Sequence, residues 1–411
     1  MSNAYWKSHW PAEDGGATRQ QRAGALTLGS ASVTGKLAIA STMVVFREED
    51  ELFLLCHTGG DDGISWVEQI DPTSLDTIRR SEDLPGGLTW PGGLAVHANG
   101  SLYVVFGQYA HRLAPDLSVE ARRELPRRAP YNSFVVLDDG TLITKDFGGA
   151  RPGMPTEFEA STCELVALDP EELEILDRFE LPEGSVARLS ADGQTTYVVG
   201  VSSLFSLDFA NGKFVPSTLR PSPYRATGEG YGWDAVIADG SAWFLNNGAG
   251  SETFDGSLIG KGVATAPQQI VRVDLATGAV SKLVVNETAG GIVANPPAVD
   301  ASRGIVVGYD SAAGLVRAFN YRSESSDPLW EIPLNHACHP LVFEGSDMVM
   351  LNDFDKEAGL DHVVIVRLST GEVLSRVATE SPLQSVLFGA PGQRNDLYLC
   401  SFTHVTRVAF A

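Results

Sequence analysis

The chain is built from a repeated pattern in which a short apolar run, a turn rich in Asp, Asn or Gly, and a second apolar run follow one another. Clear copies are WPGGLAVHANGSLYVVFG from Trp90, YNSFVVLDDGTLITKDFG from Tyr131 and HPLVFEGSDMVMLNDF from His339. Two apolar runs on either side of such a turn predict a β-hairpin. Three further copies, with looser ones from Thr42 and Gln384, bring the number of these hairpins to eight.

A second hairpin follows most copies of the first. The segments VEQIDPTSLDTIRR from Val67 and LVALDPEELEILDR from Leu165 share Asp-Pro followed by Leu and Ile, and VDLATGAV and LSTGEV carry Thr-Gly turns. The piece EELEIL is compatible with a helix, but its match to the first segment favours strand–turn–strand. Each repeat therefore holds four antiparallel strands in roughly 40–60 residues, which is the size of a propeller blade.

The repeats run from about Thr42 to the C-terminus without a linker. They predict an all-β fold, a single β-propeller domain over residues 23–411 with eight four-stranded antiparallel blades, or seven if the first copy is irregular. The final segment HVTRVAFA supplies only a third strand to the last blade. We predict that an N-terminal strand in AGALTLGS, Ala23 to Ser30, closes this blade and removes a sheet edge. Residues 1–22 are predicted to form an N-terminal arm.

The acidic composition narrows the partners that we expect. The 52 Asp and Glu residues against 30 Lys and Arg residues give a net charge of −22 at pH 7. This balance argues against nucleic acid, whose binding needs a basic face, and against anionic membrane surfaces. The N-terminal segment lacks the apolar stretch of a secretion signal, and the sequence has no run of eighteen apolar residues. We therefore expect a cytoplasmic protein whose partner is a small-molecule substrate; the oligomeric state is not predicted.

Polar residues stand where the predicted inner strands begin and where the second strands end. In an antiparallel blade these two positions lie at the same edge, and the loops there form the usual ligand site of a propeller. Two long loops at this edge, residues 146–162 and 246–269, are predicted to be lids or binding loops. The predicted substrate-binding residues at these positions are Tyr131, Trp233, Asn246, Tyr309, Asn352 and Gln384.

The predicted catalytic residues are His336, His339, Lys145, Asp146 and Asp353. The two histidines can form a metal pair or a general base beside a metal, provided that the backbone bends between them. The alternative is one histidine in the channel and one packed histidine. A channel-lining Lys145 can polarise a carbonyl or act as a base, and the alternative is a Lys–Asp pair at the rim.

The repeat of Pro or Asn before an apolar run, an Asp-Gly turn and a second strand resembles the superfamily of gluconolactonases, senescence-marker-protein-30-like lactonases, diisopropylfluorophosphatases and strictosidine synthases. The resemblance implies a single-domain propeller with a metal or substrate site at its central channel. Members of that superfamily are mostly six-bladed, whereas the repeats here predict more blades. The eight blades and the Thr-Gly turns also resemble the quinoprotein dehydrogenases, but the tryptophans of their docking motif do not follow those turns.

The first resemblance also implies a metal site. In the metal-dependent members, Asn or Asp directly before an inner strand holds a divalent cation, commonly calcium. By repeat alignment, Asn132 takes this position, Asp234 lies two residues further along, and Asn295 is shifted by one residue. Oxygen ligands suit calcium or magnesium, and a transition metal is expected if the histidines ligate. No nucleotide cofactor is expected, because the sequence has no P-loop or dinucleotide fingerprint.

Together these features predict an enzyme that hydrolyses a lactone or ester, with a cation polarising the carbonyl and His336, His339 or an Asp activating water. One alternative is a lyase or isomerase in which Lys145 or a histidine moves a proton. Another is a non-catalytic propeller that binds a protein partner, which would predict an exposed apolar patch on the rim.

Overall fold

The computed structural model describes residues 4–88, 90–147 and 162–411, apart from the side chains of Asn132 and Glu252. Its strands form eight antiparallel sheets of four strands each, three of which gain one more strand. The chain is thus an eight-bladed β-propeller, and the predicted fold and blade count are confirmed. Short 3-10 helices occupy Glu13–Gly15, Pro216–Thr218, Ser251–Thr253 and Glu344–Ser346. None of the helices found in these described ranges is long and apolar enough to cross a membrane.

The blades divide into two compact units of four. Unit 1 comprises residues 1–19 and 36–221, and unit 2 comprises residues 20–35 and 222–411. Two strands, β1 (Arg22–Ala23) and β2 (Ala31–Leu37), precede the first blade.

Unit 1 contains blades 1 to 4. Blade 1 consists of β3 (Met43–Phe46), β4 (Leu52–His57), β5 (Gly63–Ile70), β6 (Thr77–Arg80) and the additional β7 (Leu84–Gly87). Blade 2 consists of β8 (Gly93–Val96), β9 (Leu102–Phe106), β10 (Tyr109–Leu113) and β11 (Val119–Glu124). Blade 3 consists of β12 (Tyr131–Val136), β13 (Leu142–Asp146), β14 (Cys163–Leu168) and β15 (Ile175–Leu181). Blade 4 consists of β16 (Ser190–Asp192), β17 (Thr195–Val199), β18 (Ser203–Ala210), β19 (Lys213–Phe214) and the additional β20 (Arg220–Pro223).

Unit 2 contains blades 5 to 8. Blade 5 consists of β21 (Val236–Ala238), β22 (Ser241–Asn246), β23 (Gln268–Asp274) and β24 (Val280–Asn286). Blade 6 consists of β25 (Ala298–Asp300), β26 (Ile305–Asp310), β27 (Leu315–Asn320) and β28 (Trp330–Ile332). Blade 7 consists of β29 (Leu341–Phe343), β30 (Met348–Asp355), β31 (Leu360–Arg367) and β32 (Val373–Ala378). Blade 8 consists of β33 (Gly389–Pro391), β34 (Asp396–Cys400), β35 (His404–Phe410) and β2.

The position of a strand in its blade explains its sequence. The first strands of neighbouring blades contact one another within each unit, so they are the inner strands. Inner and second strands are covered on both faces and are largely apolar, as in β4, where all residues are buried. Outer strands have one face in solvent, and their residues alternate in exposure. In β15, half-buried and exposed residues alternate from Ile175 to Glu180.

The strand that closes blade 8 is β2, which pairs with β35. The prediction of an N-terminal closing strand is confirmed, but its position at Ala23 to Ser30 is wrong by about one strand length. In that segment, β1 instead runs parallel to the inner strand β29, and Leu26 is buried with its N–H donating to Ser346 Oγ at 2.7 Å. The residues of β2 are exposed or half-buried, as expected of an outer strand, so the apolar run of residues 23–30 indicates burial beside blade 7 and not the closing strand.

The arm that precedes β1 crosses the ends of the inner strands of unit 1. The Trp10 carbonyl accepts the N–H of the last residue of β3, and Ala12 forms a bridge to β8. The Tyr5 hydroxyl accepts the N–H of the last residue of β12, and the Ala17 carbonyl accepts an N–H of β16. The arm therefore joins all four blades of this unit.

A buried charge cluster anchors the arm. Arg19 donates from Nη2 to Glu13 Oε1 at 2.7 Å and to Ser133 Oγ at 2.6 Å, and from Nη1 to Asp14 Oδ2 at 3.1 Å. Its Nε donates to the Leu189 carbonyl at 2.7 Å. Because both carboxylates are buried as well, loss of the guanidinium would leave them in a low-dielectric interior without their main counter-charge.

We expect Arg19→Ala to lower the free energy of unfolding by about 3 kcal/mol, because it breaks a buried ion pair from one side. Urea denaturation followed by fluorescence measures the change. The control is Arg22→Ala, which removes a half-exposed ion pair with Glu344 and should cost less than about 1 kcal/mol. Equal losses in the two variants would contradict the role assigned to the Arg19 cluster.

Candidate functional site

The predicted ligand edge of unit 2 brings residues of blades 6 to 8 into contact. The rings of Tyr309, at the end of β26, and His336, before β29, meet edge to face with centroids 4.3 Å apart. Asn295, before β25, donates its amide to the Ala337 carbonyl and, at 2.9 Å, to the Val386 carbonyl. The rule that starts of inner strands and ends of second strands converge therefore holds within this unit.

His336 is a neutral hydrogen-bond donor. The backbone N–H of Asn352 donates to its Nδ1 at 3.1 Å, so the ring hydrogen is on Nε2. Burial, with a smaller contribution from the neighbouring His339, lowers the pKa of His336 to about 3 although hydrogen bonding with Asn352 opposes the shift, so the ring is uncharged at pH 7. The Nε2–H group is buried and has no hydrogen-bond partner in the part of the chain that the structure describes.

Asn352 holds the segment that carries both histidines. Its Oδ1 accepts the N–H groups of Ala337 at 2.8 Å and Cys338 at 2.9 Å. Its Nδ2 donates to both carboxylate oxygens of Asp361, at 3.1 and 3.2 Å. Burial raises the pKa of Asp361 to about 6, although hydrogen bonds from Ser385 and Asn352 oppose the shift.

Trp233 Nε1, before an inner strand, and Ser311 Oγ, after a second strand, are further buried polar atoms of unit 2 that have no hydrogen-bond partner in the described ranges. Trp233 Nε1 and a methyl of Val293 each lie 2.4 Å from the position that a Cβ on Gly248 would take. A side chain at position 248 would overlap both residues, so only glycine fits there. Buried donors without a partner cost free energy unless water or a ligand satisfies them. We refer to Trp233, Ser311 and His336 as the donor cluster.

An apolar cluster lies beside the donor cluster. It consists of Leu258, Ile292, Ala312 and Ala337, with Phe254 and Val386 partly buried against it. Leu258 comes from the long loop between β22 and β23, which the sequence predicts to be a lid or binding loop. Its N–H donates to Gln384 Oε1 at 2.6 Å. Gln384, a predicted substrate-binding residue, thus bonds to the loop and, through Nε2, to the Asn335 carbonyl at 2.9 Å.

The remaining predicted residues of unit 2 are buried in bonded positions. Asp353 is ion-paired with Arg376 and accepts the Asn335 N–H at 2.8 Å. His339 packs its ring 4.1 Å from that of Phe388. Asn246 donates to Gln269 Oε1 at 3.2 Å. Asp234 is also buried.

Unit 1 contains the other predicted residues. Lys145 is fully buried and donates to the carbonyls of Ser185 at 3.0 Å and Asp146 at 3.2 Å. The Asp146 carboxylate instead accepts from Arg127 at 3.0 Å and from the Glu164 N–H at 2.7 Å. The lysine therefore bonds to the main chain of its neighbour, whereas the carboxylate of that neighbour binds an arginine.

Tyr131 is buried, and its hydroxyl accepts the Arg127 N–H at 3.3 Å. Burial raises its pKa, so the phenol stays protonated. This places Tyr131 in the packing between blades 2 and 3 of unit 1.

Sequence reasoning missed Ser311 and Asp361. Ser311 directly follows β26, so the rule that selected Tyr309 would also have found it. Asp361 lies at the start of a third strand, where the rule does not apply. Its importance depends on the antiparallel register that places it near Asn352, which the sequence does not encode in any local motif.

The predicted metal set is not tested by the structure, because the Asn132 side chain lies outside the described residues. Elsewhere in the described chain, no three His, Cys, Asp or Glu side chains are close enough to hold a metal ion. His336 is not arranged as a ligand, since its Nε2 bears the hydrogen and its Nδ1 accepts from Asn352.

No protein-family model and no curated protein matches the sequence. Among solved structures, the quinohemoprotein alcohol dehydrogenase ADHIIG from Pseudomonas putida HK5 is similar with a TM-score of 0.65 and 10% identity, over 98% of this chain and 80% of that chain. The Dos1 propeller gives a TM-score of 0.61 and 10% identity, over 93% of this chain and 95% of that chain. The computationally designed protein Ika8 gives a TM-score of 0.59 and 10% identity, over 95% of this chain and 100% of that chain.

These likenesses show the β-propeller fold alone. They support the propeller class in which the sequence resemblance falls, but not the gluconolactonase superfamily in particular. The neighbours include an enzyme and a designed protein, so the fold does not select a function. Function has to be argued from the site.

The raised pKa of Asp361 predicts a pH-dependent stability. The folded state binds the proton of the Asp361 carboxyl more strongly than the unfolded chain does. Protonation of Asp361 therefore stabilises the fold fully below the pKa of the unfolded chain, and this stabilisation is lost as pH rises through about 6. We therefore expect the stability of Asp361→Asn relative to wild type to increase by about 2 kcal/mol between pH 4 and pH 7.5. Urea denaturation at both pH values measures this, with the exposed Asp327→Asn as control. A difference that does not change with pH would contradict the shifted pKa.

Proposed function

We propose that the chain is an enzyme that acts on a small carbonyl compound, with an ester or lactone as the substrate class, at the donor cluster of unit 2. The observation that carries this proposal is the buried Nε2–H of the neutral His336, which has no partner in the described chain. Preorganised neutral donors stabilise the negative charge that develops on a carbonyl oxygen under attack. A protein partner would not reach donors this deeply buried, which favours a small molecule.

The geometry divides the chemistry between the two histidines. His336 cannot take a proton, because Nε2 already carries one and Nδ1 accepts from Asn352. It therefore fits the role of donor to the carbonyl oxygen rather than the predicted role of base. His339 is the candidate proton acceptor, and Trp233 is the candidate second donor. In ester hydrolysis, water attacks the carbonyl carbon and passes a proton to His339, and that proton then goes to the leaving oxygen as the carbon–oxygen bond breaks.

Two alternatives use the same arrangement. In a lyase or isomerase, His339 would take the proton from the carbon next to the carbonyl, and the donors would stabilise an enolate. In the metal-assisted hydrolase that the sequence resemblance implies, a calcium or magnesium ion held by Asn132, Asp234 or Asn295 would polarise the carbonyl. Product identity and the effect of a chelator distinguish these alternatives.

A pair of variants tests the donor role. In His336→Asn, the amide oxygen can still accept from the Asn352 N–H, but the distal donor is gone. In His336→Gln, the side-chain nitrogen can reach the place of Nε2. On an ester or lactone that the wild type converts, we expect His336→Asn to lower kcat/KM about 10²- to 10³-fold and His336→Gln to retain more activity.

Turnover is followed by NMR with His362→Gln as the control, since His362 is partly exposed in β31 and lies outside the donor cluster. Equal activity of His336→Asn and wild type, with both folded, would remove His336 from the mechanism. Complete loss of wild-type activity on chelation would support the metal-assisted reaction instead.

A further inference from the structure

We infer that Leu258 occupies the place of the substrate's aliphatic group, and that its loop, residues 247–267, is a lid that must move for a ligand to enter. This inference rests on the proposed function for the polar half of the site. It adds a substrate class, a small carbonyl compound bearing a compact branched aliphatic group, and it identifies the segment that controls access.

The donor cluster and the apolar cluster are built from the same loops. Two residues of the apolar cluster directly follow a donor in the sequence: Ala312 follows Ser311, and Ala337 follows His336. A third, Ile292, precedes Val293, which lies with the Trp233 indole around Gly248. The Ser311 N–H also donates to the Ile292 carbonyl at 2.9 Å, which fixes two of these loops to each other. Polar and apolar walls from one set of loops suit a ligand with a polar and an apolar end.

Leu258 is the fully buried residue that the loop contributes to the apolar wall, and Phe254 of the same loop is partly buried against it. The Leu258 side chain is an isobutyl group, and it is 1% exposed against Ile292, Ala312 and Ala337. The donor cluster is closed as well, since His336 and Ser311 have no exposed surface. A molecule that reaches these donors has to displace the loop, and the space then vacated has the size and apolarity of an isobutyl group.

The lid buries few side chains: Leu258 and Ala264 are the buried residues among 251–267, leaving aside the side chain of Glu252. Its bonds to the surrounding chain include Leu258 N–H to Gln384 Oε1, Gln384 N–H to the Gly256 carbonyl, Gly260 N–H to the Ala312 carbonyl, Gly290 N–H to the Ala264 carbonyl and Thr265 Oγ1 to the Gly228 carbonyl. Gly250 and Gly256 have φ of 110° and 114°, a backbone conformation that glycine adopts without strain. Segments with so little buried apolar surface open at lower free energy than the strands around them.

The first test uses 4-methyl-2-pentanone, which joins an isobutyl group to a carbonyl, as the probe. Leu258→Ala vacates the apolar position, so we expect this variant to bind the ketone at least about tenfold more tightly than wild type does. Ligand-observed NMR titration measures the dissociation constants. The comparison probes are 2-methylpentane, which lacks the carbonyl, and acetone, which lacks the isobutyl group. No gain in affinity for the ketone in Leu258→Ala would overturn the inference.

The double variant Leu258→Ala, His336→Asn separates this inference from the proposed function. Weaker binding of the ketone, with 2-methylpentane unaffected, supports both. If the single variant gains affinity and the second substitution leaves it unchanged, Leu258 fills the aliphatic position but His336 is not the donor to the carbonyl. In that case the proposed function fails and the inference about Leu258 stands.

The second test needs no ligand. Hydrogen exchange with mass spectrometry compares the peptide 254–262 with β23 in wild type, Gln384→Ala and the control Gln393→Ala. Lid opening predicts that 254–262 exchanges faster than β23 in wild type, and about tenfold faster again when Gln384 is truncated, with β23 unchanged. Exchange of 254–262 as slow as that of β23 in all three proteins would show that the loop is a fixed part of the blade core and would overturn the lid.

Discussion

The arrangement of unit 2 depends on how Asn352 is held. One residue accepts two backbone N–H groups with its side-chain oxygen, donates to Asp361 with its side-chain nitrogen and donates to His336 with its main chain. The bonds of Asn352 thereby tie a histidine segment without regular secondary structure to the second and third strands of blade 7. Its position is set by the most rigid part of the fold, which is the condition for preorganised chemistry.

Burial then sets the charge state of the site. The same loss of solvent lowers the pKa of His336 and raises that of Asp361, because in both cases it disfavours the charged form. A neutral imidazole with one nitrogen engaged has a single remaining function, which is to donate from the other nitrogen. The proposed role of His336 as a donor to a carbonyl oxygen rests on this charge state.

The sequence predicts the fold much better than the site, for a physical reason. Blades are encoded locally, since an apolar run, a turn and a second apolar run specify a hairpin wherever they occur. The predicted position of the closing strand is wrong because an apolar run indicates burial, as of Leu26 beside blade 7, whereas the outer strand β2 is exposed or half-buried and carries no apolar run. At the site, the positional rule finds Trp233, Tyr309, His336 and Asn352, since it depends only on strand direction. It does not find the tautomer of His336 or the contribution of Asp361, because these depend on which groups meet across strands that are distant in sequence. Leu258 was not selected either, since it lies in an insertion that has no counterpart in the other repeats.

Structures that share the fold at 10% identity include a dehydrogenase and a designed protein, so the architecture tolerates very different centres. In this chain, the described residues leave a set of buried donors in unit 2 without a hydrogen-bond partner. Each such group costs about 1–3 kcal/mol relative to a paired one, a large amount for a fold whose net stability is of order 10 kcal/mol. Stability alone would favour an apolar residue at each of these positions, as in the interior of the neighbouring strands. Departures from that rule are expected where water or a ligand completes the bonding, and this is the physical basis on which a ligand is proposed at this edge of unit 2.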